Sequence, residues 1–507
     1  MKCPICGQET LESVCPVCGY MLDYDLTYNR FLTRLSQKEI DDYNKHVNLT
    51  IKMYKSSLSK KDLFENKSYS EMSSMASEAY NNNDYLKAIQ YYEIAADKGS
   101  TNALEWLGYI YYYAKGVSKD YNKAAYYYQK AVDKGSDYAA NELGVMYENG
   151  YGVKQDFCKA VELYEIAANK NNKIAQCNLG YMYESGRGTV QSHVQAVHYY
   201  KLSADQGYAR AQCNLGYMYE NGLGISKDFN KAFHHYDLSA KQGYARAQYN
   251  LALCYELGRG TGIDYKQAFH YYELAAKQNY ENAYVCLGWL YDKGYGVTQN
   301  YKKASEWYEK GVKCNNSRSM NNLGVLYEHG WGVTQDYKKA FELYKKAADL
   351  KDYYAQCNLG SLYQYGRGCT KDLNEAFHYY QLAANQGYDR GQFKLGYAYR
   401  NGLGTAVDYT KAKYWYELAA DKNYAAALNN LGVMYEKGEG VTKDYKKAVE
   451  YYEKAAALND EVAMNNLGLA YEYGRHYTKN IKKAKEWYQK AANHGHKGAK
   501  DKLAKLG

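Results

Sequence analysis

The stretch CNLGYMYE occupies residues 177–184, and the same eight letters return at residues 213–220, 36 positions later. Stepping the glycine of that stretch by 36 gives Gly108, Gly144, Gly180, Gly216, Ala252, Gly288, Gly324, Gly360, Gly396, Gly432 and Gly468, with no insertion or deletion. The tyrosine three places on recurs without exception from Tyr111 to Tyr471. A second pattern, typified by DYKKAVEYYEKAA, places an alanine in register from Ala88 to Ala484. A period of this size predicts a solenoid, in which each unit buries its apolar face only against its neighbours.

Within a unit the apolar spacing is helical. Ala139, Leu143, Met146 and Tyr147 mark one amphipathic helix, and Ala160, Tyr164, Ala167 and Ala168 mark a second. Each unit is therefore a helical hairpin. The glycine column, Gly216 for one, falls where its two helices should approach closely. The column containing Asp120, Asp156, Ser192, Asp228 and Asn300 holds Asp, Asn or Ser in every copy, just ahead of the second helix, which is N-cap chemistry. At the far end of that helix Gly99, Gly135, Asn171 and their successors are Gly or Asn except at Lys351, as a left-handed C-terminal cap requires.

These patterns resemble the Sel-one-like repeat family, a branch of the tetratricopeptide-like superfamily, across about residues 71–507. The first unit, MASEAYNNNDYLKA, lacks the G-x-G connection and looks like a plain tetratricopeptide unit, as terminal capping units do. The resemblance implies an all-α, right-handed superhelical solenoid of about 12 antiparallel helix pairs that serves as a protein-binding scaffold.

Composition agrees with repetition. The 507 residues include 66 Tyr against 9 Phe, 43 Gly and only 2 Pro, as expected when one local pattern is copied many times. The net charge of +9 is spread along the repeats, since residues 1–80 carry ten Lys/Arg and eleven Asp/Glu. No charged start followed by an apolar stretch opens the chain, and no segment approaches the roughly 18 apolar residues of a membrane span. The expectation is a soluble, cytoplasmic protein.

Ahead of the repeats, residues 1–20 read as a zinc ribbon. Cys3-x2-Cys6 and Cys15-x2-Cys18 form two C-P-x-C-G knuckles, giving the four thiolates that one structural Zn²⁺ needs. Four protein ligands leave no open position for catalysis, and so small a ribbon draws its folding energy from the metal. A disulfide pair or a redox C-x-x-C is the alternative, but the latter belongs on a βαβ pattern that is absent here. Residues 21–70 form a helical linker. In it Ser36-x-x-Glu39 makes a capping box, and Ile40, Tyr43, Val47, Ile51, Tyr54 and Leu58 make a stripe that either packs on the first repeat or self-associates across residues 37–58.

The remaining cysteines, Cys158, Cys177, Cys213, Cys254, Cys286, Cys314, Cys357 and Cys369, show no pairing pattern and are expected to be reduced thiols. The GRG stretches at 186–188 and 258–260 read as helix-ending turns, because G-x-G occurs in nearly every unit with no strand before it. His198, His234 and His270 share an outward column too widely spaced to ligate one metal. Proteins with this repeat pattern have been labelled β-lactamases, and Ser57-Leu58-Ser59-Lys60 matches S-x-x-K. The companion S-D-N and K-T-G patterns are missing, so no catalytic residue is assigned.

The expected function is binding of a protein or peptide in a concave groove. In related tetratricopeptide units the side of the first helix opposite its core residues lines that groove. Those columns hold Tyr181, Arg210, Tyr217, Arg246, Tyr249 and Trp289 in the middle copies, residue types that dominate interface energy. They thin to Asn321, Val325, Ser361, Asn429 and Val433 further on. The Lys and Asn pair that clamps a terminal carboxylate in some related proteins is not matched. The competing reading has the tyrosines packing between neighbouring first helices and Arg210 pairing with Glu184 or Glu220. A nucleic-acid-associated regulator using the ribbon for contact is the other function class. Against it, the ribbon carries one basic residue, Lys2, beside Glu9 and Glu12.

Overall fold

The carboxylate of Asp156 accepts a hydrogen bond from the backbone N–H of Lys159 at 3.0 Å and so starts a helix, and this cap recurs at the start of every second helix. A computed structural model describes residues 64 and 67–506. The described residues are helices joined by tight turns, without strands, and divide between two units, Met1–Lys227 and Asp228–Gly507.

In the first unit the helices are α1 Tyr69–Asn81, α2 Tyr85–Asp97, α3 Thr101–Tyr113, α4 Tyr121–Asp133, α5 Asp137–Asn149, α6 Phe157–Asn169, α7 Lys173–Ser185, α8 His193–Asp205 and α9 Ala209–Asn221. The second unit continues with α10 Phe229–Lys241, α11 Ala245–Leu257, α12 Tyr265–Lys277, α13 Asn282–Lys293, α14 Tyr301–Lys313, α15 Ser317–His329, α16 Tyr337–Asp349 and α17 Tyr353–Tyr365. It ends with α18 Leu373–Asn385, α19 Asp389–Asn401, α20 Tyr409–Ala420, α21 Ala425–Lys437, α22 Tyr445–Ala457, α23 Glu461–Tyr473, α24 Ile481–Asn493 and α25 Lys497–Leu506. The linker helix and the zinc ribbon expected from the sequence lie outside the described residues.

Two glycines make each G-x-G turn. Gly150 ends α5 in the left-handed region at φ 73°, and Gly152 at φ 65° lies so close to α4 that a Cβ would stand 2.3 Å from the Tyr121 carbonyl carbon. Only glycine fits the second position. The column between second and first helices is left-handed throughout, including Lys351 at φ 64°.

A tyrosine from each second helix fills the centre of its hairpin. Tyr164 is fully buried and lies over Gly144 of α5, where an added Cβ would stand 2.7 Å from the ring. Tyr200 covers Gly180 in the same way, and in the second unit Tyr344 covers Gly324 and Tyr452 covers Gly432. The glycine column is therefore the seat of a ring. The hydroxyl is anchored at the last turn of the first helix, Tyr164 to Glu148 at 2.7 Å, Tyr272 to Glu256 at 2.7 Å and Tyr452 to Glu436 at 2.6 Å. Each buried ring contributes roughly 1.5–3 kcal/mol.

The tyrosine of the opening stretch packs outside this core. Tyr183 stacks on Tyr199 at 5.7 Å and Tyr435 on Tyr451 at 5.7 Å. The lysine of the second pattern sits over the ring of this same tyrosine, Lys123 over Tyr111 at 5.0 Å and Lys447 over Tyr435 at 5.3 Å, contacts of the cation–π kind.

Candidate functional site

Successive first helices meet one another directly. In the second unit α13 touches α15, α15 touches α17 and α17 touches α19, whereas the second helices stay further apart, so the first helices line the inner side. Asparagines tie this face together. Asn178 donates to Asn141 at 3.0 Å in the first unit, and in the second Asn358 donates to Asn321 at 3.0 Å and Asn466 to Asn429 at 2.9 Å. Each link spans adjacent first helices and fixes their register.

The sequence-derived binding residues all lie on first helices, in differing settings. In the first unit Tyr181 is half-buried with the Arg187 guanidinium 5.8 Å from its ring, Arg210 donates to Asn178 at 3.3 Å, and Tyr217 is 38% exposed. In the second unit Arg246 is half-buried on α11. Tyr249 packs its ring against Tyr272 at 5.7 Å and Tyr280 at 5.1 Å, so much of it is spent on the core. Trp289 is half-buried and meets Tyr295 edge-on at 5.2 Å.

Beside Trp289 the inner face opens into a cleft of about 470 Å³ between α13, α15 and α17. Val285, Trp289 and Val325 supply apolar wall, and Glu256, Asp292, Asn321 and Arg318 supply polar groups. A volume of this order suits one or two side chains of a bound segment. Arg318 is held flat, with its Nε 3.3 Å from the buried Asp352 carboxylate and its guanidinium 3.9 Å from the Tyr354 ring centre. Asp352 also caps α17 through Ala355 N–H at 2.9 Å. Burial holds the Glu256 carboxyl above its ordinary range, against the downward pull of the Tyr272 hydroxyl, and burial pushes the Cys286 thiol up to about 12. Behind the cleft, Tyr308 is fully buried, and Asn322 and Asp292 lie near its hydroxyl without a hydrogen bond of full geometry to it. At this copy the shorter Asp292 stands where a glutamate holds the hydroxyls of Tyr164, Tyr272 and Tyr452.

Arg318, Tyr354 and Asp292 escaped the reading of the middle copies. Arg318 and Tyr354 occupy the column of Arg210 and Arg246, and Asp292 that of Glu184, so the signal was there. What the one-dimensional reading lacked was the meeting of two adjacent helices.

Cys3, Cys6, Cys15 and Cys18 lie outside the described residues, as does the self-association stripe at 37–58. Among the described residues no three His, Cys, Asp or Glu side chains gather as a metal site, and none of the eight repeat cysteines is joined in a disulfide. His198, His234 and His270 are exposed on second helices. No helix among the described residues is long and apolar enough to cross a membrane.

A solenoid of 36-residue helical hairpins with ring-seating glycines defines a repeat protein, and the comparisons agree. The Sel1 repeat pattern matches in twelve consecutive segments, from residues 82–100 to residues 462–496, and the chain belongs to the Sel1 repeat family. Among solved structures it is similar to c5321, a protective antigen present in uropathogenic Escherichia coli strains and displaying an SLR fold. That likeness has 29% identity and a TM-score of 0.70, covering 89% of this chain and 97% of the other. A Sel1 repeat protein from Oxalobacter formigenes shares 31% identity over 48% of this chain and 96% of its own, with a TM-score of 0.46. No curated protein matches the chain.

Proposed function

We propose that the inner face of the first helices binds an extended segment of a protein partner, and that the chain is a non-enzymatic scaffold. The observation that carries this reading is the cleft beside Trp289, where an aromatic wall, a flattened Arg318 and the half-buried carboxyl groups of Glu256 and Asp292 converge on a space of about 470 Å³. Aromatic and arginine anchors in desolvated pockets supply most interface energy. Tyr181, Arg210 and Tyr217 offer similar chemistry on the first unit. The test is the affinity of a captured partner for Tyr217→Ala, Arg246→Ala and Trp289→Ala beside the outward controls His198→Ala and His270→Ala. Losses of about tenfold or more confined to the first group support the reading. Equal loss in the controls, or no loss at Trp289, refutes it.

The amino-terminal ribbon is proposed to hold one structural Zn²⁺ on Cys3, Cys6, Cys15 and Cys18. The support is their paired C-P-x-C-G spacing.

A further inference from the structure

One column of the first helices holds Arg210 in the first unit and Arg390 in the second, and their surroundings are built alike. Each guanidinium donates to an asparagine of the preceding first helix, Arg210 to Asn178 at 3.3 Å and Arg390 to Asn358 at 3.2 Å. Each has a fully buried cysteine close by in sequence register, Cys177 and Cys357. In each the second-helix tyrosine gives its hydroxyl to the residue at the acid position, Tyr200 to Glu184 at 2.5 Å and Tyr380 to Gln364 at 2.6 Å.

Several positions differ; two of them move charge in the positive direction, while Asp389, where the first seat has Ala209, adds a negative one. Gln364 stands where the first seat has Glu184, removing a negative charge. Lys394 stands where it has Asn214, adding a positive one. Ser361 stands where it has Tyr181, replacing a ring by a hydroxyl that accepts from Tyr380 at 3.2 Å.

Lys394 is half-buried on α19, one turn from Arg390, with its Nζ 6.0 Å from the Tyr380 ring centre. Neither cation has an ion-pair partner among the described residues. The acid next to them, Asp389, turns its carboxylate to the Arg390 backbone N–H at 2.6 Å. Burial, with the repulsion of Arg390 behind it, holds the Lys394 ammonium below its ordinary value. Two like charges one helical turn apart and withdrawn from water are costly without a counter-ion.

We propose that Arg390 and Lys394 form a seat for a side-chain carboxylate of an acidic, extended partner segment. This rests on the inner-face reading above and gives that face a specificity. The acid column holds Glu328 on one side and Glu436 on the other, each with an arginine partner, Arg367 and Arg475, while α19 itself carries Arg400 in that column, paired with Glu439 at 2.7 Å. With Arg400 spent on Glu439, Arg390 and Lys394 are the cations of α19 left for a ligand, and a single carboxylate fits that pair.

The test uses the full-length protein and fluorescein-labelled peptides in fluorescence anisotropy, at an ionic strength of about 0.15 M so that long-range attraction is screened. The probe is amidated (Gly-Glu)5, compared with amidated (Gly-Gln)5 and with (Gly-Gln)5 ending in a free carboxylate. The acidic probe is expected to bind about tenfold or more tightly than its amidated neutral twin. Lys394→Asn combined with Gln364→Glu, which restores the first-unit residues at those two positions, should erase the preference with helicity unchanged. Equal binding of the acidic and neutral peptides, no binding of either, or a preference that survives in the double variant overturns the seat. So does preference for the free terminal carboxylate over the acidic probe, or displacement by inorganic phosphate but not by glutamate at equal concentration. Loss of the seat alone leaves partner binding sensitive to Trp289→Ala, whereas insensitivity there removes the inner-face reading itself.

Discussion

Replacing Gly432 with alanine sets two effects of opposite sign against each other. Alanine is the better helix former by about 1 kcal/mol, so propensity alone predicts a more stable repeat. The added Cβ would stand 2.6 and 2.7 Å from two ring carbons of Tyr452 and 3.0 Å from the Ala448 carbonyl oxygen, when carbon atoms prefer roughly 3.5–4.0 Å. The ring cannot swing away freely, being 1% exposed and tied through its hydroxyl to Glu436 at 2.6 Å. Overpacking of this kind costs about 1–3 kcal/mol, leaving a net loss of about 1 kcal/mol. The one natural exception, Ala252, has its methyl accommodated beside a Tyr272 that is still fully buried. Ala252→Gly should therefore destabilise its own repeat by about 1 kcal/mol through backbone entropy. Hydrogen exchange read by mass spectrometry suits a solenoid, where damage stays local. Amides in residues 425–457 should exchange about fivefold faster in Gly432→Ala, with distant repeats unchanged. In a Tyr452→Leu background the same change should slow exchange. Slower exchange in the single variant would refute the ring-seat explanation of the glycine column.

Asp292→Glu gives this copy the acid that holds Tyr164 and Tyr272 and should tighten the weak contact with the buried Tyr308 hydroxyl, stabilising that repeat by about 0.5–1.5 kcal/mol, seen as slower exchange in α13 and α14. Burial raises the tyrosine column well above ordinary phenols, Tyr164, Tyr272 and Tyr452 among them. A raised folded value means that this stability is fully present below the unfolded value near 10 and is lost as pH climbs from there towards the folded one, by about 1.4 kcal/mol per unit for each tyrosine. Helicity should fall in step with the appearance of buried tyrosinate absorbance above about pH 10, whereas tyrosinate forming with helicity intact would contradict the burial. Purified protein should carry one zinc per chain, and Cys6→Ser or Cys15→Ser should release it without loss of repeat helicity, since nearest-neighbour stabilisation confines the damage. A general fall in helicity on zinc removal would oppose this.

The helical hairpin, the capping aspartates and the left-handed column were legible because each is local chemistry, stated within four residues of the chain. Even Lys351, which breaks the Gly/Asn rule, adopts the left-handed conformation because its neighbours in the repeat impose it. What the glycine column is for was less plain, because the ring that fills it comes from the following helix. The lysine of the second pattern gave no sign of sitting over a tyrosine one helix back. Tyr217 and Tyr249 looked alike in a chain with so many tyrosines, yet Tyr217 is exposed and Tyr249 packs against two other rings. The seat at Arg390 was hidden for a related reason. Its charge emerges only when Gln364 and Lys394, on successive helices, are read together.

The central claim is that the inner face of the first helices is the working surface. Hydroxyl-radical footprinting of the full-length protein with and without a captured partner tests it most directly, because it reads side chains one at a time and favours the aromatic residues in question. The account predicts protection of Tyr217 and Trp289 on binding, with His198 and His270 on the second helices unchanged. Protection of the histidines while Tyr217 and Trp289 stay as reactive as in the free protein would contradict it.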